Sequence, residues 1–203
     1  MGYQYLVGIL EPPSVRGPAV ASARIVPAQR PASLHQPGHR RGRDEIMPRH
    51  RFTLLTTHLK SRRQTAIADE AELRAAEARI LREKVDAILN ASPNANVVVC
   101  GDFNDTRDSE AIRTLVGRGK SALTDTRPYE RNGDTKKGDG YRTVTWTHFY
   151  GKEDTYSRID YILLSKGMSR EWKADGSYVF SGPDWGLASD HRPVVCEFFA
   201  TNR

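Results

Sequence analysis

The stretch Val97-Val98-Val99-Cys100-Gly101-Asp102-Phe103-Asn104-Asp105 constrains the fold more than any other part of the chain. A run of β-branched residues that breaks at glycine and then presents an acid and an amide reads as a buried strand with polar side chains at its C-terminal tip. If strand geometry continues through that tip, the period of two places Asp102 and Asn104 on one face and turns Phe103 to the other. A carboxylate beside a neutral amide suits orienting a water and holding a phosphoryl oxygen. The competing reading is structural: a strand closed by an Asx turn that leads into a helix.

The flanking segments give this strand its neighbours. Phe52 to Leu59 is rich in β-branched and apolar residues and reads as a strand that ends in the basic turn Lys60-Ser61-Arg62-Arg63. Apolar positions then recur every three to four residues at Ala71, Ala75, Ala78, Leu81 or Arg82, Val85 and Ile88, with Pro93 beyond, which predicts a long helix. A strand, a crossover helix and a second strand join parallel or next-but-one strands of one sheet. Further on, Ser109 to Val116 reads as a short amphipathic helix ended by Gly117 and Gly119, and Tyr129 to Gly140 as a loop. Three strands follow, over Arg142 to His148, Arg158 to Leu164 and Pro193 to Phe199.

Length predicts one domain with room for a substantial core, since the chain has 203 residues. Composition matters chiefly through its distribution. The net charge of +6 suggests an acidic partner, yet residues 1–50 hold seven arginines against Glu11, Asp44 and Glu45. The remainder is close to neutral, so nucleic-acid binding does not follow from overall charge, and a DNA-binding arm in residues 1–50 would rest on arginine content alone. That segment also holds seven of the eleven prolines and only one strand-like stretch, Tyr3 to Leu10, so it reads as irregular, disordered or foreign to a folded unit, with the domain proper over 51–203. No apolar run approaches the length of a transmembrane helix, and no secretory signal is visible. Cys100 and Cys196 each end a run containing valines, as buried unreactive thiols do, with a disulfide left open.

Polar clusters recur at the predicted strand ends: His58, the pair Asp102 and Asn104, Asp160, and the pair Asp190 and His191. Asp160 interrupts an otherwise apolar strand, where a carboxylate is costly unless paired. Histidine is its natural partner, because an aspartate accepting from one imidazole nitrogen fixes the tautomer of the other. Asp190 beside His191 can serve a divalent metal through the carboxylate and a phosphate through the imidazole.

Thr57-His58-Leu59, Gly101-Asp102-Phe103-Asn104, Arg158-Ile159-Asp160-Tyr161 and Ser189-Asp190-His191-Arg192-Pro193, in this order, resemble the motifs of the endonuclease/exonuclease/phosphatase superfamily over roughly Arg51 to Phe199. The resemblance implies an α/β (α+β) fold of the DNase I-like type, a four-layered sandwich of two mixed sheets with helices outside. It implies hydrolysis of a phosphoester by an in-line water with Mg²⁺ or Mn²⁺. By the same resemblance Asp102 orients or deprotonates the water, Asn104 donates a hydrogen bond beside it, and His191, oriented by Asp160, contacts the phosphate. Asp190 is a metal-site carboxylate, and His58 contacts the phosphate or assists the leaving group.

The chain departs from this pattern at its start, where members carry a metal-site asparagine and then the principal metal-ligand glutamate. Glu11 is the nearest substitute, and it stands close before His58. The resemblance therefore implies the C-terminal part of the domain, with a sheet face left uncovered and self-association through it. Three activities stay open: nuclease, phosphatase, and sphingomyelinase-like or small-phosphoester hydrolase. A remnant without activity is the alternative to all of them.

Other residues carry two readings each. Lys60, Arg62 and Arg63, like Lys136 and Lys137, meet substrate phosphate or form solvated basic turns. Trp146, Trp172 and Trp185 pack in the core or line a groove, with Trp185 best placed for the latter. His148 reads as a surface or turn histidine, and His35, His39 and His50 lie in the irregular segment.

Overall fold

The computed structural model describes residues 52–63, 69–130 and 144–199. Glu11, the division at residue 50, Lys136 and Lys137 lie outside the described residues, as does the side chain of Trp185. In chain order the elements are β1 (Thr53–Thr56), α1 (Glu70–Ala91), β2 (Val97–Asp102), α2 (Glu110–Val116), a single 3₁₀ turn (Gly119–Ser121), β3 (Thr124–Asp125), β4 (Tyr129–Glu130) and β5 (His148–Tyr150). They continue with β6 (Thr155–Ser157), β7 (Asp160–Leu164), α3 (Lys166–Ser169), β8 (Trp172–Val179), α4 (Trp185–Ala188) and β9 (Val194–Phe198).

Helix α1 forms as its periodicity predicts. Asp69 caps it, its side chain accepting from the backbone N–H groups of Ala71 and Glu72, a contribution of about 1 kcal/mol. Ala75, Ala78, Leu81, Val85 and Leu89 make its buried stripe. Arg82 is buried on the same face and does polar work: its guanidinium pairs with Asp86, and it donates to the carbonyls of Leu115 (3.1 Å) and Ser121 (2.8 Å). It thereby satisfies the Leu115 carbonyl that α2 leaves open at its C-terminus and ties the 3₁₀ turn to α1 through Ser121.

The crossover from β1 through α1 makes β1 and β2 adjacent and parallel, with Thr53 opposite Val97 and Thr56 opposite Cys100. Antiparallel to β2 on its other side runs β7, and β3 completes a mixed sheet in the order β1-β2-β7-β3. A second mixed sheet has the order β4-β8-β9, and β5 and β6 form a separate hairpin. Alternation along β2 sorts the core into two clusters. Val97, Val99 and Phe103 pack under α1 and α2 with Tyr161 and Leu163. Val98 and Cys100 face the other way, with Ile162 and Leu164, against Val194, Cys196 and Phe198 of the second sheet. Among the described residues this gives a helix layer, a sheet and a second sheet.

Both cysteines are free and buried in the core between the sheets, and burial pushes each thiol up to about 12. The predicted strand over Arg142 to His148 is displaced: residues 144–147 are not in a strand, and pairing begins at His148. Strands β3, β4, β6 and β8 are additions: β4 takes the first two residues of the predicted loop Tyr129 to Gly140 by pairing with β8, which itself alternates apolar and polar residues too weakly to be read as a strand. The exposed large apolar residues are scattered over α1 (Leu73, Ile80), the hairpin (Tyr150, Tyr156), the end of β8 (Phe180) and α4 (Leu187).

Candidate active site

The register of β2 and β7 builds the centre of the site. Asp102, the last residue of β2, stands directly opposite Asp160, the first of β7. Both continue the face that carries Val98 and Cys100 on one strand and Ile162 and Leu164 on the other, so both carboxylates lie at the end of the space between the two sheets. Both are buried. Asp160 is fixed from behind by Thr147, whose hydroxyl accepts from the backbone N–H groups of Ile159 and Asp160, each at 3.2 Å.

His191 closes the pair. Its Nδ1 is 2.9 Å from Asp160 Oδ2 and its Nε2 is 3.8 Å from Asp102 Oδ2. His58, just past β1 and 46% exposed, brings Nε2 to 3.4 Å from the same Asp102 oxygen. The backbone conditions for this are specific. Gly101 has φ +147°, and a Cβ there would come within 1.8 Å of the Thr57 carbonyl oxygen, so only glycine lets the His58 segment lie this close to β2.

Asn104 departs from the expectation for a continuing strand. The strand ends at Asp102, and Asn104 has φ +51°, in the left-handed region that asparagine tolerates. Its backbone N–H donates to Asp102 Oδ1 (2.8 Å), the Asx turn of the competing reading, while its amide Nδ2 donates to the Leu59 carbonyl (2.9 Å). The strand does not carry Asn104 on one face with Asp102, and the Asx turn is what positions the Asp102 carboxylate.

Asp190 is 69% exposed and its Oδ2 lies 3.6 Å from His148 Nε2. His148 is no isolated surface histidine. It pairs across an antiparallel bridge with His191, their ring centroids 4.6 Å apart, and the bridge is flanked by hydrogen bonds from Phe149 N to the Asp190 carbonyl (3.2 Å) and from Arg192 N to the Thr147 carbonyl (2.6 Å). Residues on facing strands meet this closely only through tertiary pairing, so local sequence held no signal for it. Arg192, buried, locks the segment by bonding Glu130 (2.9 Å) and the Phe180 carbonyl (3.0 Å) and by lying 4.2 Å over the Trp146 ring.

Electrostatics follow from this packing. Burial, and then the charge of Asp160, pushes Asp102 up to about 6, against the opposing pull of the Asn104 N–H and the two histidines. For His191 burial favours the neutral ring, but the hydrogen bond and charge of Asp160, followed by the charges of Asp102 and Asp190, outweigh it and raise the imidazole to about 9. His148 is shifted down by burial and by the charge on His191. The site thus combines a carboxyl raised to about 6 with an imidazole raised to about 9.

Among the described residues, two groups bring potential ligand atoms within 4.8 Å of one another: Asp102, Asp160 and His191, and His148, Asp190 and His191; with His191 engaged by Asp160, the carboxylates and His148 are what could hold a cation. Asp160 already serves His191, whereas Asp190 is exposed and only loosely engaged. Hard divalent cations keep several waters and take one or two carboxylates, a demand that the exposed Asp190 fits.

Of the basic turn, Lys60 spends its ammonium on the Ser61 carbonyl (2.9 Å), the Ser61 hydroxyl (3.3 Å) and the Arg63 carbonyl (3.1 Å). Arg62 instead reaches the Asp102–Asp105 loop, donating to the Asn104 carbonyl and to Asp105. Trp185 opens α4, shortly before Ser189.

A sequence profile of the endonuclease/exonuclease/phosphatase family matches residues 4–191. The chain belongs to this family. The matched span includes Glu11, His58, Asp102, Asn104, His148, Asp160, Asp190 and His191. Family members are phosphoester hydrolases that generally use divalent metals, and the fold is of the DNase I-like α/β type, with mixed sheets and helices. Among solved structures, the catalytic domain of human Nocturnin with bound sulfate is similar at 22% identity, covering 72% of this chain and 46% of that one, with a TM-score of 0.49. Truncated TDP2 from Caenorhabditis elegans is similar at 23% identity over 72% and 53%, with a TM-score of 0.46. Sphingomyelinase C from Streptomyces griseocarneus is similar at 20% identity over 72% and 53%, with a TM-score of 0.44. The chain spans about half the length of these structures. No curated protein sequence matches it.

Proposed function

We propose that the protein hydrolyses phosphoesters by in-line attack of water, with Mg²⁺ or Mn²⁺ as the metal. The observation that carries this reading is His191 held between two carboxylates, 2.9 Å from Asp160 and 3.8 Å from Asp102, in a chain of this family. Asp102, titrating near neutrality, is the group that orients the attacking water and takes its proton. Asn104 fixes that carboxylate through its backbone N–H and keeps one amide hydrogen for a phosphoryl oxygen. His191, held protonated by Asp160, places positive charge where negative charge spreads over the phosphoryl oxygens, and His58 contacts the phosphate or assists the leaving group.

Asp190, with Glu11 as a further donor, would hold the metal, which when bound neutralises phosphoryl charge as a Lewis acid. Trp185 and the basic turn would meet the rest of the substrate. The test is hydrolysis of bis(p-nitrophenyl) phosphate by the purified chain with Mg²⁺ or Mn²⁺ and with chelator, beside Asp102→Ala. Metal-dependent turnover that disappears in the variant supports the reading. Equal traces from both proteins would favour a chain without activity of its own.

A further inference from the structure

Arg62 is held in an unusual way for a half-exposed side chain. Its Nε donates to the Asn104 carbonyl (3.0 Å) and its Nη2 to Asp105 Oδ1 (3.0 Å), while 52% of the side chain stays open to solvent. Asp105 is itself buried and over-determined. Its Oδ2 accepts from Arg74 Nε (3.1 Å), its Oδ1 from Thr106 N (3.0 Å), and its backbone carbonyl from the Tyr161 hydroxyl (3.1 Å). Arg74, also buried, donates onward to the carbonyl of Lys60 (3.3 Å). The turn that carries His58 and the loop that carries Asp102 are thus joined through one carboxylate shared by two guanidinium groups.

Two consequences bear on ligands. Among the described residues, one carboxylate between two guanidiniums leaves a positive charge in surplus beside the Asn104 loop. Nearby Glu77 accepts from the Lys60 backbone N–H (2.6 Å), and the formal charge of Lys60 offsets that of Glu77 without a direct pair between them. Among the described residues, moreover, Arg62 Nη1 has no acceptor, so the planar group offers donors in a fixed direction with its conformational entropy already lost. Lys60 cannot do the same, since its ammonium is used within the turn.

We propose that Arg62 reads a second anionic group on the substrate, a phosphate or carboxylate flanking the scissile phosphoester, and that Asp105 is the positioning residue that aims it. The inference rests on the phosphoester-hydrolase reading and narrows it to substrates with at least two anionic groups. It disfavours head groups whose second charge is positive.

The test is calorimetric binding to the full chain of adenosine 3′,5′-bisphosphate and adenosine 5′-monophosphate, which differ by one phosphate. Wild type is expected to bind the bisphosphate about tenfold tighter, the equivalent of about 1.4 kcal/mol. Arg62→Gln brings the two affinities together. Arg62→Lys, which keeps the charge and loses the fork, recovers only part of the preference, and Asp105→Asn reduces it. Equal affinities in wild type, no binding of either ligand, or a variant that weakens both ligands while keeping their ratio overturns the proposal, the last because a purely structural role acts on both alike. Binding needs no turnover. A bisphosphate preference in a chain that hydrolyses no phosphodiester would sink the hydrolase reading and leave the anion site, and hydrolysis without the preference would do the reverse.

Discussion

Asp102 and Asp160 are direct cross-strand partners on one face of the antiparallel pair β2–β7, both buried. Like charges placed opposite each other destabilise a sheet, and a buried carboxylate needs a partner. His191 answers both demands by bonding Asp160 and facing Asp102. The cost that remains appears as the raised Asp102, and the proposed hydrolysis would use such a group to exchange a proton.

This arrangement makes stability pH-dependent with a defined sign. His191 is raised from 6.5 to about 9, so its contribution is fully present below pH 6.5 and is lost as pH rises through 9. Asp102 is raised from 3.8 to about 6, so it too favours the folded chain at low pH, with the benefit lost as pH rises from 3.8 through 6. In chelator, urea melts of wild type minus His191→Gln should show a difference that shrinks between pH 6.5 and 9. Asp160→Asn should lower the His191 midpoint in an NMR titration. An unmoved midpoint would mean that Asp160 is not its principal partner.

Gly101→Ala should be strongly destabilising, because φ +147° disfavours alanine and its Cβ would meet backbone, the Thr57 carbonyl oxygen, rather than a movable side chain. A loss of about 2 kcal/mol or more in chemical denaturation is expected. A variant as stable as wild type would show that β1 and β2 do not approach this closely.

Two of the arginine pairs of α1, Arg74 with Asp105 and Arg79 with Glu110, should separate by burial. Arg74→Ala leaves Asp105 buried without its inner partner and should cost about 3–5 kcal/mol. Arg79→Ala breaks an exposed pair with Glu110 and should cost about 0–1 kcal/mol. Similar losses for both would contradict the burial of the Asp105 network.

Much of this was legible in the sequence for physical reasons. The β1–α1–β2 crossover follows from apolar periodicity, and Asp160 declares a partner because a lone acid in the Ile159–Leu164 run is untenable. What stayed hidden depends on pairing between distant segments. Asn104 leaves the strand because its side chain finds the Leu59 carbonyl, and His148 joins the site only through its bridge to His191. Asp105 looks like the continuation of a turn until Arg62 and Arg74 converge on it.

Salt should separate the classes of substrate. Activity on a nucleic acid, which depends on contacts along a phosphate backbone, should fall steeply between 50 and 200 mM salt, by about tenfold for each phosphate contact or two. Activity on a small phosphoester should change far less. A flat profile on DNA or RNA would exclude an extended basic contact surface.

The central claim is that Asp102, Asp160 and His191 form a working hydrolytic site. The direct measurement is metal-dependent turnover of bis(p-nitrophenyl) phosphate by the full chain, wild type against Asp102→Ala and against His191→Gln, with and without chelator. The expected result is turnover that needs the metal and falls by at least about 100-fold in each variant. Turnover that survives in both variants, or wild-type rates no different from theirs, would contradict it.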